Sequence, residues 1–535
     1  MRRYKFKTLG VMIDMSRNSV MSMDGLKRLL PLLRKMGYNC LMLYTEDTYE
    51  VDGEPYFGYR RGRYSKAEMK EIDSFAESLG IKVIPCIQTL AHLNAAKKWK
   101  KMPYDCDDIL LVDDERTYEL IDNMFSTISE CFKSRVVHIG MDEAHMIGRG
   151  KHLDLHGYES PSEIMKRHMD RVCKLAEKYN FEPMIWSDMF YRPWNNGKYY
   201  TDKSISEEYR NVLPPDVIPV YWDYYHKDKK DYDDMLDSHM ELSKKTWFAG
   251  GIWGWRGVIP FNKFSIETMI PAIDSCIEHK VENIVMTIWG NDGGECSHFA
   301  KLPSLFYIAS YAKGERDDEV IKRKFKSLTG LDFDECLAID DVNLITGNEF
   351  DGHPKNPSKY MLYSDCLNGY LDTTVKPGAG VKFAEIAVKL HATAKKSRKY
   401  GYVFDTAAKL ADVMEIKYEL GIKTRAAYTS ADLEELRRLA NEDYVEVAKR
   451  VNLFAKALEK QWMLDNKAVG LEVFDIRLGG LVKRLDTCRR RILDYVNGRI
   501  DKIDELEEDL LPWGASEESI DYNNALGSMT RSCLI

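Results

Sequence analysis

From the N-terminus to about residue 312, short apolar runs rich in β-branched residues alternate with longer segments whose apolar positions recur every three or four residues. That alternation is how βα units around a parallel sheet read in a sequence. It predicts strands at Leu9 to Ile13, Cys40 to Tyr44, Val83 to Ile87, Val136 to Ile139, Pro183 to Trp186, Ile218 to Tyr221, Thr246 to Gly250 and Ile284 to Ile288. Between them, helical stripes are set by Leu26, Leu29, Leu30 and Leu33, by Met69, Ile72, Ala76 and Leu79, and by Met165, Met169, Val172 and Ala176. Two helices should open with capping boxes, Ser65 with Glu68 and Ser160 with Glu163, the second with Pro161 at its first position. Eight βα units in one stretch imply an α/β fold closed into a (β/α)8 TIM barrel.

The pattern then changes. Residues 346 to 380 are rich in Gly, Asn, Asp and Pro and read as a long surface connection, and from about Lys382 the pattern is helical, with a seam of Val447, Val451, Phe454 and Leu458. The expected organisation is a TIM-barrel domain over residues 1 to 345 and an α-helical C-terminal domain over 346 to 535. The stretch from Trp462 to Gly480 is unlike the helices around it. It reads as a connection with an internal Asp475 and Arg477 pair or, alternatively, as an arm reaching a site on its own or a partner subunit.

Composition narrows the classes. Hydrophobic residues at 44% and charged residues at 30% fit a globular chain with a real core. The net charge of -8 comes from mixed signs, which leaves no basic footprint for nucleic acid or for a membrane surface. No run of membrane-spanning length occurs, and the first residues lack a signal-peptide pattern, so a cytoplasmic location is expected. The 11 scattered cysteines, without a Cys-x-x-Cys pair, agree with a reducing compartment, and Cys533 stands third from the end, where prenylation would need it fourth.

Candidate chemistry collects where the predicted strands end. Asp14 and Arg17 follow the first, Glu46 and Asp47 the second, and Gln88 and His92 the third. His138 and Gly140 lead into Asp142, Glu143 and His145 at the fourth; Trp186 and Asp188 follow at the fifth, and Trp222, Asp223, Tyr224 and Tyr225 at the sixth. Trp253 and Trp255 follow the seventh, and Trp289, Asn291, Asp292 and Glu295 the eighth. Seven of the ten tryptophans lie between Trp186 and Trp289. Tryptophans with a few carboxylates and an arginine suit a sugar, because aromatic faces stack on ring C–H surfaces while carboxylates and Arg take the hydroxyls. The same walls desolvate a carboxyl group, as a general acid for a glycosidic oxygen requires. A glycosidase is therefore the leading chemical reading. The usual two-carboxylate scheme needs its groups about 5 Å or more apart on opposite sides of the sugar, which adjacent residues do not provide; a nucleophile supplied by the substrate would resolve this.

His138-Ile-Gly-Met-Asp142-Glu143 resembles the His-x-Gly-x-Asp-Glu motif of the family 20 glycoside hydrolases, the β-N-acetylhexosaminidases. Asp14-Met-Ser-Arg17, Gln88-Thr-Leu-Ala-His92, Trp186-Ser-Asp-Met-Phe190, Trp222 and Trp289-Gly290 resemble further landmarks in the family's order. The segments Gly53 to Tyr64 and Lys359 to Asp372 resemble a compact bacterial branch without the N-terminal α/β domain and with a helical C-terminal domain. The resemblance implies exo-acting removal of terminal N-acetylglucosamine, or N-acetylgalactosamine, by substrate-assisted hydrolysis. In that scheme Glu143 is the acid and then the base, and Asp142 orients the 2-acetamido group that attacks C1. Trp186, Trp222 and Trp289 wall the acetamido pocket, Arg17 binds the ring's 3- and 4-hydroxyls, and no metal or other cofactor is needed. Among the other expected substrate contacts, Glu46, Asp47, Trp253 and the two histidines His92 and His138 complete the set, the histidines as supports for carboxylates.

The family's Trp-Gly-Glu is Trp289-Gly290-Asn291 here, so the carboxylate for the outer hydroxyls is Asp292 or Glu295. The tyrosine for the acetamido oxygen is absent after strand seven, which leaves Tyr224 or Tyr225. Rival readings are a metal-dependent barrel hydrolase, against which no His-Glu-x-x-His spacing occurs, and an amino-sugar-binding protein without turnover. The expected partner is a small glycoside, not nucleic acid or a membrane, with a homodimer left open.

Overall fold

The computed structural model describes residues 5–97, 102–345, 347, 350 and 354–512. Eight strands form a closed parallel barrel in chain order, with β8 hydrogen-bonded back to β1. They are β1 (Thr8–Asp14), β2 (Cys40–Glu46), β3 (Lys82–Ile87), β4 (Val136–His138), β5 (Glu182–Trp186), β6 (Ile218–Trp222), β7 (Trp247–Gly251) and β8 (Asn283–Ile288). Each predicted run is a strand, displaced by a residue or two at its ends, because continuous apolar runs are what strands covered on both faces require. Gly10 shows how tightly the strands approach: a Cβ there would stand 3.3 Å from both Cys40 Cβ and Val285 Cγ2.

The fourth strand is the shortest. It pairs with β3 at one position, Cys86 with His138. Beyond that point Thr89 replaces the ladder, its N–H and hydroxyl both donating to Ile139 O at 3.2 and 2.8 Å.

The helix over Met23–Met36 is capped by Ser22, which accepts from Gly25 N–H, and it buries Leu26, Leu29, Leu30 and Leu33. The capping box of Ser65 and Glu68 is formed. At Pro161–Lys178 the expected box is not made: the Ser160 hydroxyl is 2.7 Å from that of Ser162 and caps nothing, and Pro161 alone marks the start.

The chain divides into two compact units, the first comprising Met1–Trp253, Ser265–Trp289 and Ser304–Ile321, the second Gly254–Phe264, Gly290–Pro303 and Lys322–Ile535. All eight strands belong to the first. The second is helical, with long helices at Ala379–Lys396, Gly401–Thr429, Tyr444–Asp465 and Leu471–Val496, and it buries Val447, Val451, Phe454 and Leu458. Within the segment read as a connection, Pro357–Tyr363 is a short helix, because Asn356 caps it through Lys359 N–H and Pro357 takes its first turn. The stretch from Trp462 to Gly480 is also more helical than its pattern implied, broken only between Asp465 and Leu471, where Gly470 has φ 101°. Cys533 and residues 1–4 lie outside the described residues. Among the described residues no helix is long and apolar enough to cross a membrane.

Candidate active site

The turn that leaves β4 is built on left-handed backbone. Gly140, Met141 and Glu143 have φ of 74°, 67° and 54°. Glycine is required at 140 for a second reason as well: a Cβ there would fall 1.9 Å from Gln88 Oε1. Gln88, fully buried at the end of β3, uses its whole amide on this turn and its neighbour. Its Oε1 accepts Met141 N–H at 3.2 Å, and its Nε2 donates to Asp142 Oδ1 at 2.8 Å and to the Tyr44 hydroxyl at 2.9 Å. Glu143 is held from the other side, its N–H donating to Asp188 Oδ2 at 3.0 Å. Two adjacent carboxylates thereby acquire different surroundings, with the side chain of Asp142 11% exposed and that of Glu143 45% exposed.

Charge follows from that burial. His92 Nε2 lies 3.1 Å from Asp142 Oδ2 and 3.6 Å from Glu143 Oε2. The contact is not aligned with the ring's N–H direction, so it acts as an ion pair more than as a hydrogen bond. Burial opposes charge on both partners, yet each holds the other ionised: His92 is raised to about 9, and Asp142 is kept below the ordinary carboxylate range by His92 and Gln88. Asp188 moves the opposite way, pushed up first by burial and then by the charge of Asp142. Arg192 counters this, with Nε 3.2 Å from Asp188 Oδ2 and a terminal nitrogen 3.9 Å from Glu143 Oε1. Burial takes His138 down to about 3, so its imidazole is neutral; Nδ1 accepts Gly140 N–H at 3.1 Å.

A third group is centred on Arg17. Its guanidinium meets Asp14 at 3.2 Å and Glu46 at 3.3 Å, and lies 5.1 Å from the ring centroids of both Tyr44 and Trp289. Tyr44 donates to Glu46 at 3.1 Å, so the arginine cluster joins the Asp142 cluster through Tyr44 and Gln88. The aromatic wall is continuous: Trp186 is 4.3 Å from the His138 ring and 6.1 Å from Trp289, Trp289 packs edge-on to Tyr44 at 4.8 Å, and Trp222 stacks on Tyr224 at 5.4 Å and 17°.

The first unit thus brings together Arg17, Glu46, His92, His138, Asp142, Glu143, Trp186, Trp222, Tyr224 and Trp289. Other expected contacts are turned to different work. Asp47 is buried and pairs with Arg61 at 3.0 Å, because the loop after β2 folds back over it. Trp253 is fully buried and its indole donates to Tyr224 O at 2.7 Å, so it positions a tyrosine and offers no face of its own. Tyr225 packs edge-on to Trp253 at 5.5 Å. Asp292 and Glu295 belong to the second unit. There Glu295, with its side chain 4% exposed, is taken by Lys359 at 3.0 Å and by Arg477 at 3.2 Å, which replaces the expected pairing of Arg477 with Asp475. Sequence reasoning missed Tyr44 and Arg192. Tyr44 sits inside an apolar strand run and gave no signal, whereas Arg192, four residues after Asp188 in a short helical turn, is at a spacing that could have been flagged.

Among the described residues no three His, Cys, Asp or Glu side chains are grouped to hold a metal ion. The donor set suits proton transfer and charge stabilisation: an ionised, buried carboxylate beside a half-exposed one, an imidazolium touching both, and aromatic faces next to them.

Residues 6–235 match the family model described as the glycosyl hydrolase family 20 catalytic domain, and residues 334–524 match that of the glycoside hydrolase 20C C-terminal domain. The chain is 26% identical over 271 residues to hexosaminidase D of Bos taurus, covering 48% of this chain and 72% of that protein. It is 25% identical over 212 residues to hexosaminidase D of Homo sapiens, covering 37% of this chain and 41% of that protein. Among solved structures, a family 20 exo-β-N-acetylglucosaminidase from Vibrio harveyi aligns over 61% of this chain and 58% of its own, at 17% identity and a TM-score of 0.46. The β-N-acetylhexosaminidase of Bacteroides fragilis aligns over 61% and 70%, at 14% identity and a TM-score of 0.47. The chain thus spans less than half the human relative and under three fifths of the Vibrio structure. A parallel barrel with this family match defines the protein as a glycoside hydrolase. It belongs to family 20 of that class.

Proposed function

We propose that the protein is an exo-acting β-N-acetylhexosaminidase that releases terminal N-acetylglucosamine, or N-acetylgalactosamine, with retention of configuration. One observation carries this reading. Asp142 is buried, ionised and braced by Gln88 and His92, while Glu143 beside it is half-exposed and free to meet a substrate. Two adjacent carboxylates cannot flank a glycosidic bond, so the attacking group comes from the sugar.

In this mechanism Glu143 protonates the glycosidic oxygen as the C1–O bond breaks, and the 2-acetamido carbonyl oxygen bonds to C1, giving an oxazolinium ion. Asp142 accepts the acetamido N–H and stabilises the positive charge spreading over that ring. Glu143, now ionised, takes a proton from water as it attacks C1, which reopens the ring and restores the acetamide. Trp186, Trp222 and Trp289 wall the acetamido group, and Tyr224, stacked on Trp222, is the better-placed of the two candidate tyrosines for its oxygen. Arg17, braced by Asp14 and Glu46, takes hydroxyls of the ring. A reducing compartment such as the cytoplasm is proposed from the ten described cysteines, which form no disulfide with one another, and a homodimer remains part of the proposal on size and composition alone.

The test is release of an aryl alcohol from its 2-acetamido-2-deoxy-β-glucoside in EDTA, beside the plain β-glucoside. The acetamido substrate should turn over, the plain glucoside at least roughly 10³-fold more slowly, and Glu143→Gln should lose roughly 10²–10⁴-fold in kcat. Equal turnover of both glycosides would remove the substrate-assisted mechanism.

A further inference from the structure

The second, helical unit contains a cavity of ≈ 800 Å³ that the hydrolysis above does not use. Three segments of that unit form most of it: the turn after the Pro357–Tyr363 helix, Lys417 of the Gly401–Thr429 helix, and one face of the Leu471–Val496 helix, where Arg477, Leu481, Arg484 and Cys488 recur at helical spacing. Its volume falls within the range of small-molecule pockets.

The charged groups on its lining are paired, except one. Arg484 meets Asp365 at 2.5 Å, Arg477 meets Glu295 at 3.2 Å, Glu505 meets Arg491 at 2.6 Å, and Lys483 meets Asp486 at 3.3 Å. Lys417 is only 2% exposed and makes no ion pair among the described residues. Its Nζ donates to Ser364 O at 2.7 Å and to Met361 O at 3.0 Å, and its remaining hydrogen bond is with the Cys366 thiol, a weak acceptor. The buried carboxylate that feels its charge, Asp372, is not part of the lining and is itself pushed up to about 6 by burial. An ammonium group out of water and held by carbonyls and a thiol calls for an anion. Ser364 adds a second donor, because its hydroxyl is buried on the same lining and has no hydrogen-bond partner.

The rest of the lining is largely apolar. Leu481, Leu485 and Cys488 are buried there, and Ile476, 74% exposed on the same helix, stands at the rim. One ammonium beside one hydroxyl matches the two oxygens of a carboxylate. A phosphate dianion would find the same single uncommitted cation and would also meet the charges of Asp365 and Glu505. We infer that this cavity binds a small organic acid, with its carboxylate on Lys417 and Ser364 and an apolar body against Leu481 and Leu485. The acid takes the place of the thiol beside the ammonium, which exchanges a weak hydrogen bond for a charge-assisted one.

The probe is octanoate, titrated calorimetrically into the full chain beside 1-octanol and octyl phosphate. One octanoate per chain should bind, at least roughly tenfold more tightly than either comparison ligand, the scale of one charged hydrogen bond. Lys417→Met has a side chain of similar length without the charge, and should bring octanoate down to the affinity of 1-octanol while 1-octanol itself changes by less than about twofold. Gly480→Trp keeps the test sound if Lys417→Met does not fold. Gly480 is on the lining, with nothing within 4 Å of an added Cβ, so an indole there obstructs the entrance and should abolish octanoate binding. Equal affinity for octanoate and 1-octanol would overturn the carboxylate assignment, as would tighter binding of octyl phosphate. Octanoate binding that survives in Gly480→Trp, or no binding to the wild-type chain, would overturn the site itself. Neither result bears on the hydrolase reading, whose catalytic carboxylates lie in the other unit.

Discussion

Removing His92 tests whether the electrostatic arrangement at the end of β4 sets the activity. In the folded protein its pKa is raised from the ordinary 6.5 to about 9 against the cost of burial, chiefly by Asp142 3.1 Å away. At about 1.4 kcal/mol per unit, the pairing amounts to about 3 kcal/mol. Because the folded value lies above the unfolded one, that stabilisation is fully present below pH ~6.5, amounts to about 2.5 kcal/mol at pH 7 and is gone by pH ~10. In His92→Phe the buried Asp142 loses its counterion, desolvation is no longer opposed, and the carboxyl drifts toward its protonated form. If the whole coupling, about 2.5 kcal/mol at pH 7, serves to hold Asp142 in its orientation toward the acetamido N–H in the transition state, kcat at pH 7 falls by about two orders of magnitude. The assay is a titration of histidine Cε1 resonances, in which the signal missing from the variant identifies His92 among the 12 histidines, together with kcat between pH 5 and 10. Wild-type kcat should decline above pH ~9 with the midpoint of that resonance. A His92 signal titrating near pH 6.5, or a variant with wild-type kcat, would refute the reasoning.

Asp142→Asn, which keeps the shape and a hydrogen bond but removes the charge, should lower kcat by roughly 10²-fold or more with little change in KM, read from initial rates on the aryl substrate. Arg17→Ala should raise KM and lose at least roughly 10²-fold in kcat/KM, and Arg17→Lys should recover only part of it, because a point charge does not reproduce a fork. Gly140→Ala forces a side chain into Gln88 at a left-handed φ, and should cost about 1–3 kcal/mol in strain together with activity, seen as a lower Tm and a lower kcat. Glu295→Gln leaves Lys359, with its side chain 2% exposed, without its carboxylate, and should destabilise the helical unit by about 3–5 kcal/mol in thermal unfolding.

The strands were legible because each is a continuous apolar run ended by polar residues, a pattern that local sequence carries in full. The same rule located Arg17, His92, Asp142, Glu143 and three tryptophans. What it could not convey is how polar side chains share partners across the barrel. Asp47 looked equivalent to Glu46, yet Arg61, 14 residues later, takes it, while Glu46 meets Arg17. Trp253 looked like a wall, but whether an indole presents its face or spends its N–H on a carbonyl depends on packing with β6's end. Arg477 has Asp475 two residues away and pairs instead with Glu295, 182 residues distant, because positions two apart on a helix do not face each other. Ser160 matched a capping sequence, and a neighbouring hydroxyl diverted it.

The brevity of β4 has a mechanical consequence. The barrel wall is least laced by main-chain bonds between β3 and β4, directly beneath the Asp142–Glu143 turn, and side chains of Gln88 and Thr89 close it. A wall fastened by side chains can loosen locally while the other seven junctions hold. Amide hydrogens of Ile139 to Glu143 should therefore exchange with solvent sooner than those of the flanking strands. A bound sugar that engages Asp142 would slow that exchange, so occupancy of the site would be readable from the backbone's breathing alone.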